Sequence, residues 1–179
     1  MTMPPQPSAT TSPPLHPAMS WRGLALLPVA ILPSLFASVI GQLFTAVGMV
    51  SWYRTLQKPF FNPPDMAFPI VWTFLYALMA VAFWRILRAR PEAGPKNAAI
   101  LAYLGQMVLN IGWSYMFFGL RSALGGLVVS SAMVIAIGFT IRLFQRLDRA
   151  AGIALYPYFA WVVFATVLNA AIVWLNPGT

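Results

Sequence analysis

The sequence has no cysteine, three acidic residues and one histidine, and each scarcity removes a class of function. Without cysteine there is neither a disulfide nor a thiolate metal site, and the redox compartment leaves no mark. The one imidazole, His16, sits in a proline-rich stretch outside every long apolar run, so no such run offers a histidine to a metal or haem. Asp65, Glu92 and Asp148 all fall at the ends of apolar runs. A metal-dependent or carboxylate-pair enzyme therefore lacks its groups, and so does a proton-coupled exporter, which needs a titratable group at bilayer depth.

Charge of either sign is also missing from long stretches. Residues 23–53 hold no Asp, Glu, Lys or Arg, and the same is true of 66–84, 97–120, 122–141 and 150–179. A charged side chain at bilayer depth costs several kcal/mol, so charge marks where a span must stop. About 20 apolar residues cross the hydrocarbon core, so each window is long enough. The expected fold is all-α, a polytopic bundle of five transmembrane helices over roughly 23–45, 66–88, 97–118, 122–144 and 151–174. The composition agrees: 60% hydrophobic residues and a mean hydropathy of +0.75 exceed what an interior of 179 residues could hide from water.

Residues 1–18 carry six prolines and no charge, so a disordered tail is expected there, followed by the membrane domain over 19–179. A net charge of +8 does not point to nucleic acid, because the basic residues stand singly or in short clusters beside the apolar runs, where they meet lipid headgroups. Arg22, Arg85, Arg88, Arg90, Lys96, Arg142, Arg146 and Arg149 fall on one side of the five spans, against Arg54, Lys58 and Arg121 on the other. In a bacterial cell membrane this places the N-terminus inside. The first connection, about 46–65, holds Trp52, Tyr53, Lys58-Pro59 and Pro63-Pro64 and reads either as a stiff interfacial lid or as a plain anchor belt.

Uncharged polar and aromatic residues recur at helical spacing inside the spans. Gln106, Asn110, Trp113, Ser114 and Phe117 share one face of the third; Trp72, Tyr76 and Met79 do so in the second; Trp161, Ala165 and Leu168 do so in the fifth, with Tyr158 close by. Amides seek partners in hydrocarbon, so these faces should turn inward. They would line an apolar cavity with a few polar fixing points, or pack the helices together. Ser122, Gly126 and Ser130 form a small-residue ridge on the fourth span, read as internal packing rather than a dimer seam.

The segment WYRTLQKPFFNPP at 52–64 resembles the signature of the TspO/MBR family of tryptophan-rich sensory proteins and translocator proteins. VWTFLY at 71–76, LNIGWSYMFFG at 109–119 and LYPYFAWVVFATVLN at 155–169 resemble the family's second, third and fifth helices, so the resemblance spans about 20–176. It implies a five-helix bundle, often a homodimer, that binds protoporphyrin IX, haem and drug-like hydrophobic molecules in a pocket closed by the first loop. Matched by position, Tyr53, Trp72, Asn110, Trp113, Ser114, Trp161, Ala165 and Leu168 would line that pocket; the facial pattern adds Tyr76 and Gln106. No cofactor is required, no metal ligand is expected, and the porphyrin is a ligand. Three positions depart from the family: Phe61 replaces a loop tryptophan, Gly125 a tryptophan of animal members, and Ala170 the tyrosine of the cholesterol motif. No basic residue follows Trp174, so cholesterol binding is not supported. The implied role is tetrapyrrole binding in sensing, trafficking or stress regulation. The alternatives are passive translocation of tetrapyrrole or lipid, and an enzyme that photo-oxidises porphyrin through its tryptophans; no residue is assigned a catalytic role.

Overall fold

The computed structural model describes residues 21–89 and 96–178, with the side chains of Trp21 and Arg22 left out. The tail expected over 1–18, His16, Arg90 and Glu92 lie outside the described residues, as does the side chain of Arg22. Among the described residues the secondary structure is helical throughout: α1 Trp21–Ala25, α2 Leu27–Val50, α3 Ala67–Arg88, α4 Lys96–Ser114, α5 Ala123–Leu147, α6 Arg149–Ala154 and α7 Tyr156–Leu175. A 3-10 turn, Tyr53–Thr55, interrupts the loop after α2, and a π-helical turn, Tyr115–Gly119, prolongs α4.

Among the described residues four segments are long and apolar enough to cross a membrane: Gly23–Val50, Ala67–Arg88, Ala123–Leu147 and Arg149–Leu175. They keep large apolar side chains on the outside, among them Leu32, Phe36, Leu43 and Val47 on α2 and Val128, Ile135 and Phe139 on α5. Water would not tolerate so continuous an apolar surface, whereas lipid requires it, so the chain is an integral membrane protein. The remaining long helix, α4, carries Lys96, Asn97, Gln106 and Asn110 among its 19 residues, which lowers its apolar character. It packs against α2 on one side and α5 on the other. Around the bundle the contacts run α3, α2, α4, α5, α7; a lighter α3–α7 contact closes the ring, and α6 bridges α3 and α5.

The boundaries differ from the sequence expectation where the backbone chemistry is local. The first span continues to Val50 rather than 45, because residues 46–50 hold neither proline nor charge and the backbone first leaves helical geometry at Ser51. The fourth runs to Leu147 rather than 144, where the Asp148 backbone leaves helical geometry. The fifth starts earlier, at Arg149, because the Asp148 carboxylate accepts from the N–H groups of Ala150 and Ala151 at 2.9 and 3.1 Å. It then breaks at Leu155, since Pro157 has no N–H to return to the Ile153 carbonyl. The third span's α-helix stops at Ser114 rather than running to 118, and the wider turn that follows is closed by Leu120 N–H donating to the Tyr115 carbonyl at 2.8 Å.

Charge gathers at the two ends of the bundle. Arg85 pairs with Asp148 at 2.8 Å, tying α3 to the α5–α6 junction. Lys96 donates to the carbonyls of Leu87 and Ala89 at 2.7 and 2.9 Å, capping the end of α3 with a cation where the helix dipole favours one.

Candidate functional site

Above the bundle lies the loop 51–66. Its rigidity is built from its own residues: the buried Tyr53 hydroxyl donates to Asn62 Oδ1 at 2.7 Å, and Asn62 Nδ2 donates to the Pro63 carbonyl at 2.9 Å. The Lys58 ammonium sits 4.3 Å from the centre of the Tyr53 ring, a cation–π contact. Burial, then the nearby charge of Asp65, pushes the Tyr53 phenol up to about 12 despite the Asn62 bond, so it remains a neutral donor at physiological pH.

Under this loop is a cavity of about 30 Å³ lined by Met49, Tyr53, Phe68, Trp113, Phe117, Phe118, Ala165, Leu168, Asn169 and Ile172. The walls are aromatic planes in ordered contact. Trp113 stacks on Phe117 at 5.4 Å between centroids and meets the edge of Phe118 at 5.8 Å, while Tyr53 covers both phenylalanines from above at 6.1 and 5.9 Å. The one amide in the wall, Asn169, accepts from the Trp113 indole N–H at 3.3 Å and donates to the Ala123 carbonyl at 2.7 Å, joining α4, α5 and α7. Two glycines make the approach close enough. A Cβ on Gly48 would meet Phe118 at 2.7 Å, and one on Gly126 would meet Asn169 and Phe117 at 2.8 Å each.

A second set of expected residues forms a hydrogen-bonded chain inside the bundle. Tyr76 donates to Asn110 Oδ1 at 2.7 Å, Asn110 Nδ2 reaches the Tyr158 hydroxyl at 3.5 Å, and Tyr158 donates to Gln106 Oε1 at 2.7 Å. Trp72 lies over this chain, 5.4 Å from Tyr76 and 6.2 Å from Tyr158. The Gln106 Nε2 group is buried without a partner.

The ten residues singled out from the sequence therefore separate. Tyr53, Trp113, Ala165 and Leu168 line the cavity. Trp72, Tyr76, Gln106 and Asn110 interlock among themselves and with Tyr158. Trp161 packs on Phe68 at 6.1 Å and Phe164 at 5.4 Å, one side chain removed from the cavity wall. Ser114 is buried against α2, where a Cβ on Gly41 would come within 3.2 Å of its hydroxyl. Of the ridge on the fourth span, Gly126 and Ser130 are buried, and Ser122 caps α5 by accepting from Gly125 N–H at 3.1 Å.

Phe118 and Asn169 were not among the expected site residues. Asn169 carried a usable signal, an amide in an apolar run, the same signal that selects Gln106 and Asn110. Phe118 carried none: an α-helical period turns it away from Phe117, and only the π turn buries both.

No group of three His, Cys, Asp or Glu side chains able to hold a metal occurs among the described residues. For a porphyrin, the lining has suitable chemistry, apolar and rich in π faces, but about 30 Å³ holds little more than one water, whereas small-molecule pockets run from about 300 to 1,000 Å³. The cavity in this closed form does not accommodate a macrocycle.

The fold and the cavity together define a helical integral membrane protein whose interior is closed by an aromatic, proline-stiffened loop. The profile of the TspO/MBR family matches residues 29–175, and the chain belongs to that family. It is 40% identical over 137 residues to the tryptophan-rich protein TspO of Chlorobaculum tepidum, covering 76% of this chain and 87% of that one. It is also 33% identical over 161 residues to the translocator protein of Homo sapiens, covering 88% and 89% of the two chains. A tryptophan-rich sensory protein of Cereibacter sphaeroides is 35% identical over 125 residues, 70% of this chain and 77% of its own.

Proposed function

We propose that this protein binds flat hydrophobic molecules, porphyrins such as protoporphyrin IX or haem foremost, beneath the loop 51–66, and acts in tetrapyrrole sensing, trafficking or stress regulation. One observation carries the reading: a hollow walled by Trp113, Phe117, Phe118 and Tyr53, with a single amide, at the junction of a loop with α4 and α7. Aromatic planes attract a π-rich ligand from both faces, and Asn169 or the Tyr53 hydroxyl supplies a directional bond to a ring substituent. Since the closed cavity is too small, binding involves lifting of the loop and rotation of its aromatic neighbours. Haem would be held chiefly as a hydrophobic plane, since no histidine or cysteine lines the cavity and, of the two other side chains of a ligating type, Met49 and Tyr53, the tyrosine hydroxyl is engaged with Asn62.

In this reading all five long helices cross the membrane, α4 included, with Asn110 and Gln106 turned inward and their carbonyl oxygens accepting from Tyr76 and Tyr158. The N-terminus lies inside a bacterial cell membrane, the loop 51–66 lies outside, and the protein is a homodimer. The test is equilibrium titration of protoporphyrin IX against purified protein in detergent, read by tryptophan quenching. Saturable binding at one ligand per chain, above partitioning into empty micelles, supports the reading; quenching that follows partitioning alone overturns it.

Passive translocation is the second reading, and one observation favours it. A groove of about 450 Å³ opens between α2 and α3 toward the lipid, and its wall includes Tyr76, whose hydroxyl belongs to the interior chain. Flux of protoporphyrin IX into sealed proteoliposomes, absent from protein-free liposomes, would establish it.

A further inference from the structure

The loop 51–66 is held down mainly by apolar contact. Trp52 and Tyr53 rest on Phe117, Phe61 meets Phe164, and Leu56 is buried. Such contacts let a loop slide or lift in small steps, since they have no required direction. Its hydrogen bonds are almost all internal or to the adjoining end of α2.

The exception is a clasp to the far end of the chain. Asn176, the residue immediately after α7, accepts from the Gln57 backbone N–H through Oδ1 at 2.9 Å and donates through Nδ2 to the Gln57 carbonyl at 2.9 Å. One primary amide thus pairs with both polar groups of a single backbone residue, as a neighbouring strand would. The same Nδ2 also donates to the Ile172 carbonyl at 2.8 Å, fixing the side chain to the last turn of α7. Among the described residues these are the hydrogen bonds that carry the loop across to a helix not adjacent in sequence.

We propose that Asn176 is the latch of the loop: its two-bond clasp on Gln57 holds the cavity shut, and its release sets the rate at which ligand enters. The gating half of this rests on the binding function proposed above; the latch itself does not. The placement fits the role. The clasp joins the loop to α7, the helix that contributes Ala165, Leu168, Asn169 and Ile172 to the cavity, so opening the loop and breaking the clasp are one motion. Because the bonds are directional and few, they give two discrete states, closed and released, which apolar contact alone would blur. Only the asparagine side chain and the backbone of Gln57 take part, so the Gln57 side chain is free to vary.

The test uses the full chain in detergent, first without ligand. Deuterium uptake of peptides covering 51–66 and trypsin cleavage after the exposed Arg54 both report opening. Asn176→Leu, of similar volume but with neither donor nor acceptor, should raise both rates about 5-fold, the scale expected of two solvent-facing hydrogen bonds. Gln57→Ala, which leaves the backbone clasp intact, should match the wild type. A variant that simply frayed the end of α7 would speed exchange there and leave cleavage at Arg54 unchanged, and that result overturns the latch, as does an Asn176→Leu protein indistinguishable from wild type.

Stopped-flow mixing with protoporphyrin IX then reads gating: the association rate constant of Asn176→Leu should rise by the same factor as its loop opening. An unchanged association rate beside a faster-opening loop overturns the gating role. If the wild type does not bind protoporphyrin IX at all, the binding function falls, while exchange and proteolysis still decide whether Asn176 latches the loop.

Discussion

At the residue scale, the hinge of the cavity's architecture is Asn169. Its amide is buried at 2% exposure in an otherwise apolar helix and serves partners on two others. Replacing it by leucine strands the Trp113 indole N–H in the interior, and an unsatisfied buried donor costs about 1–3 kcal/mol. Asn169→Leu should therefore unfold earlier in a denaturant titration of the detergent-solubilised protein by that amount, and an unchanged midpoint would remove Asn169 from the account. Gly126 makes a parallel case through space rather than hydrogen bonding. With Asn169 and Phe117 both 2.8 Å from where a Cβ would stand, Gly126→Val should cost about 1–3 kcal/mol by overpacking, in the same assay. The inward amides were legible in the sequence because hydrocarbon leaves a lone amide no alternative. Which aromatic side chains bound a space and which fill one was not legible, since Trp72 and Trp113 carry the same signal and differ only in what the neighbouring helices place against them.

At the element scale, the long helices followed from the charge-free windows, because spacing between charges is a property of the chain itself. Their ends did not follow as well. The π turn at Tyr115–Gly119 has no period that a helical pattern would reveal, yet it buries Phe117 and Phe118 together and so makes the cavity's floor. The start of the fifth span depends on Asp148, whose carboxylate both caps α6 and pairs with Arg85. Burial alone would raise that carboxyl, but the Arg85 hydrogen bond, the Ala151 and Ala150 N–H groups and the Arg85 charge together hold it below its usual range. A carboxyl lowered in the folded state stabilises fully above its unfolded pKa and loses that contribution as pH falls through the folded one. Thermal unfolding of wild type and Asp148→Asn should thus differ at neutral pH and begin to converge only as pH falls below about 4, the range of an ordinary carboxyl. A difference that persists unchanged into strong acid would mean the tie contributes nothing through its charge.

At the scale of the whole molecule, the question is how the bundle sits in its membrane. A chain without cysteine is well suited to it, because each introduced thiol is the only one present. If α4 crosses, Asn97→Cys and Ser122→Cys report from opposite sides. In intact bacterial cells with the N-terminus inside, a membrane-impermeant maleimide reaches Ser122→Cys only if α4 crosses, and Ser122 shares the inaccessible side with Asn97 if α4 fails to cross. The expected result is labelling of Ser122→Cys and Gln57→Cys at once, and of Asn97→Cys only after permeabilisation. The central claim, that the hollow under the loop is where a flat hydrophobic ligand binds, is tested most directly by filling it. In protoporphyrin IX titrations, Ala165→Phe, at the cavity wall, should abolish saturable tryptophan quenching, while Val128→Phe, on the lipid-facing side of α5, should bind as the wild type does. Equal binding by both variants would place the ligand elsewhere and contradict the account.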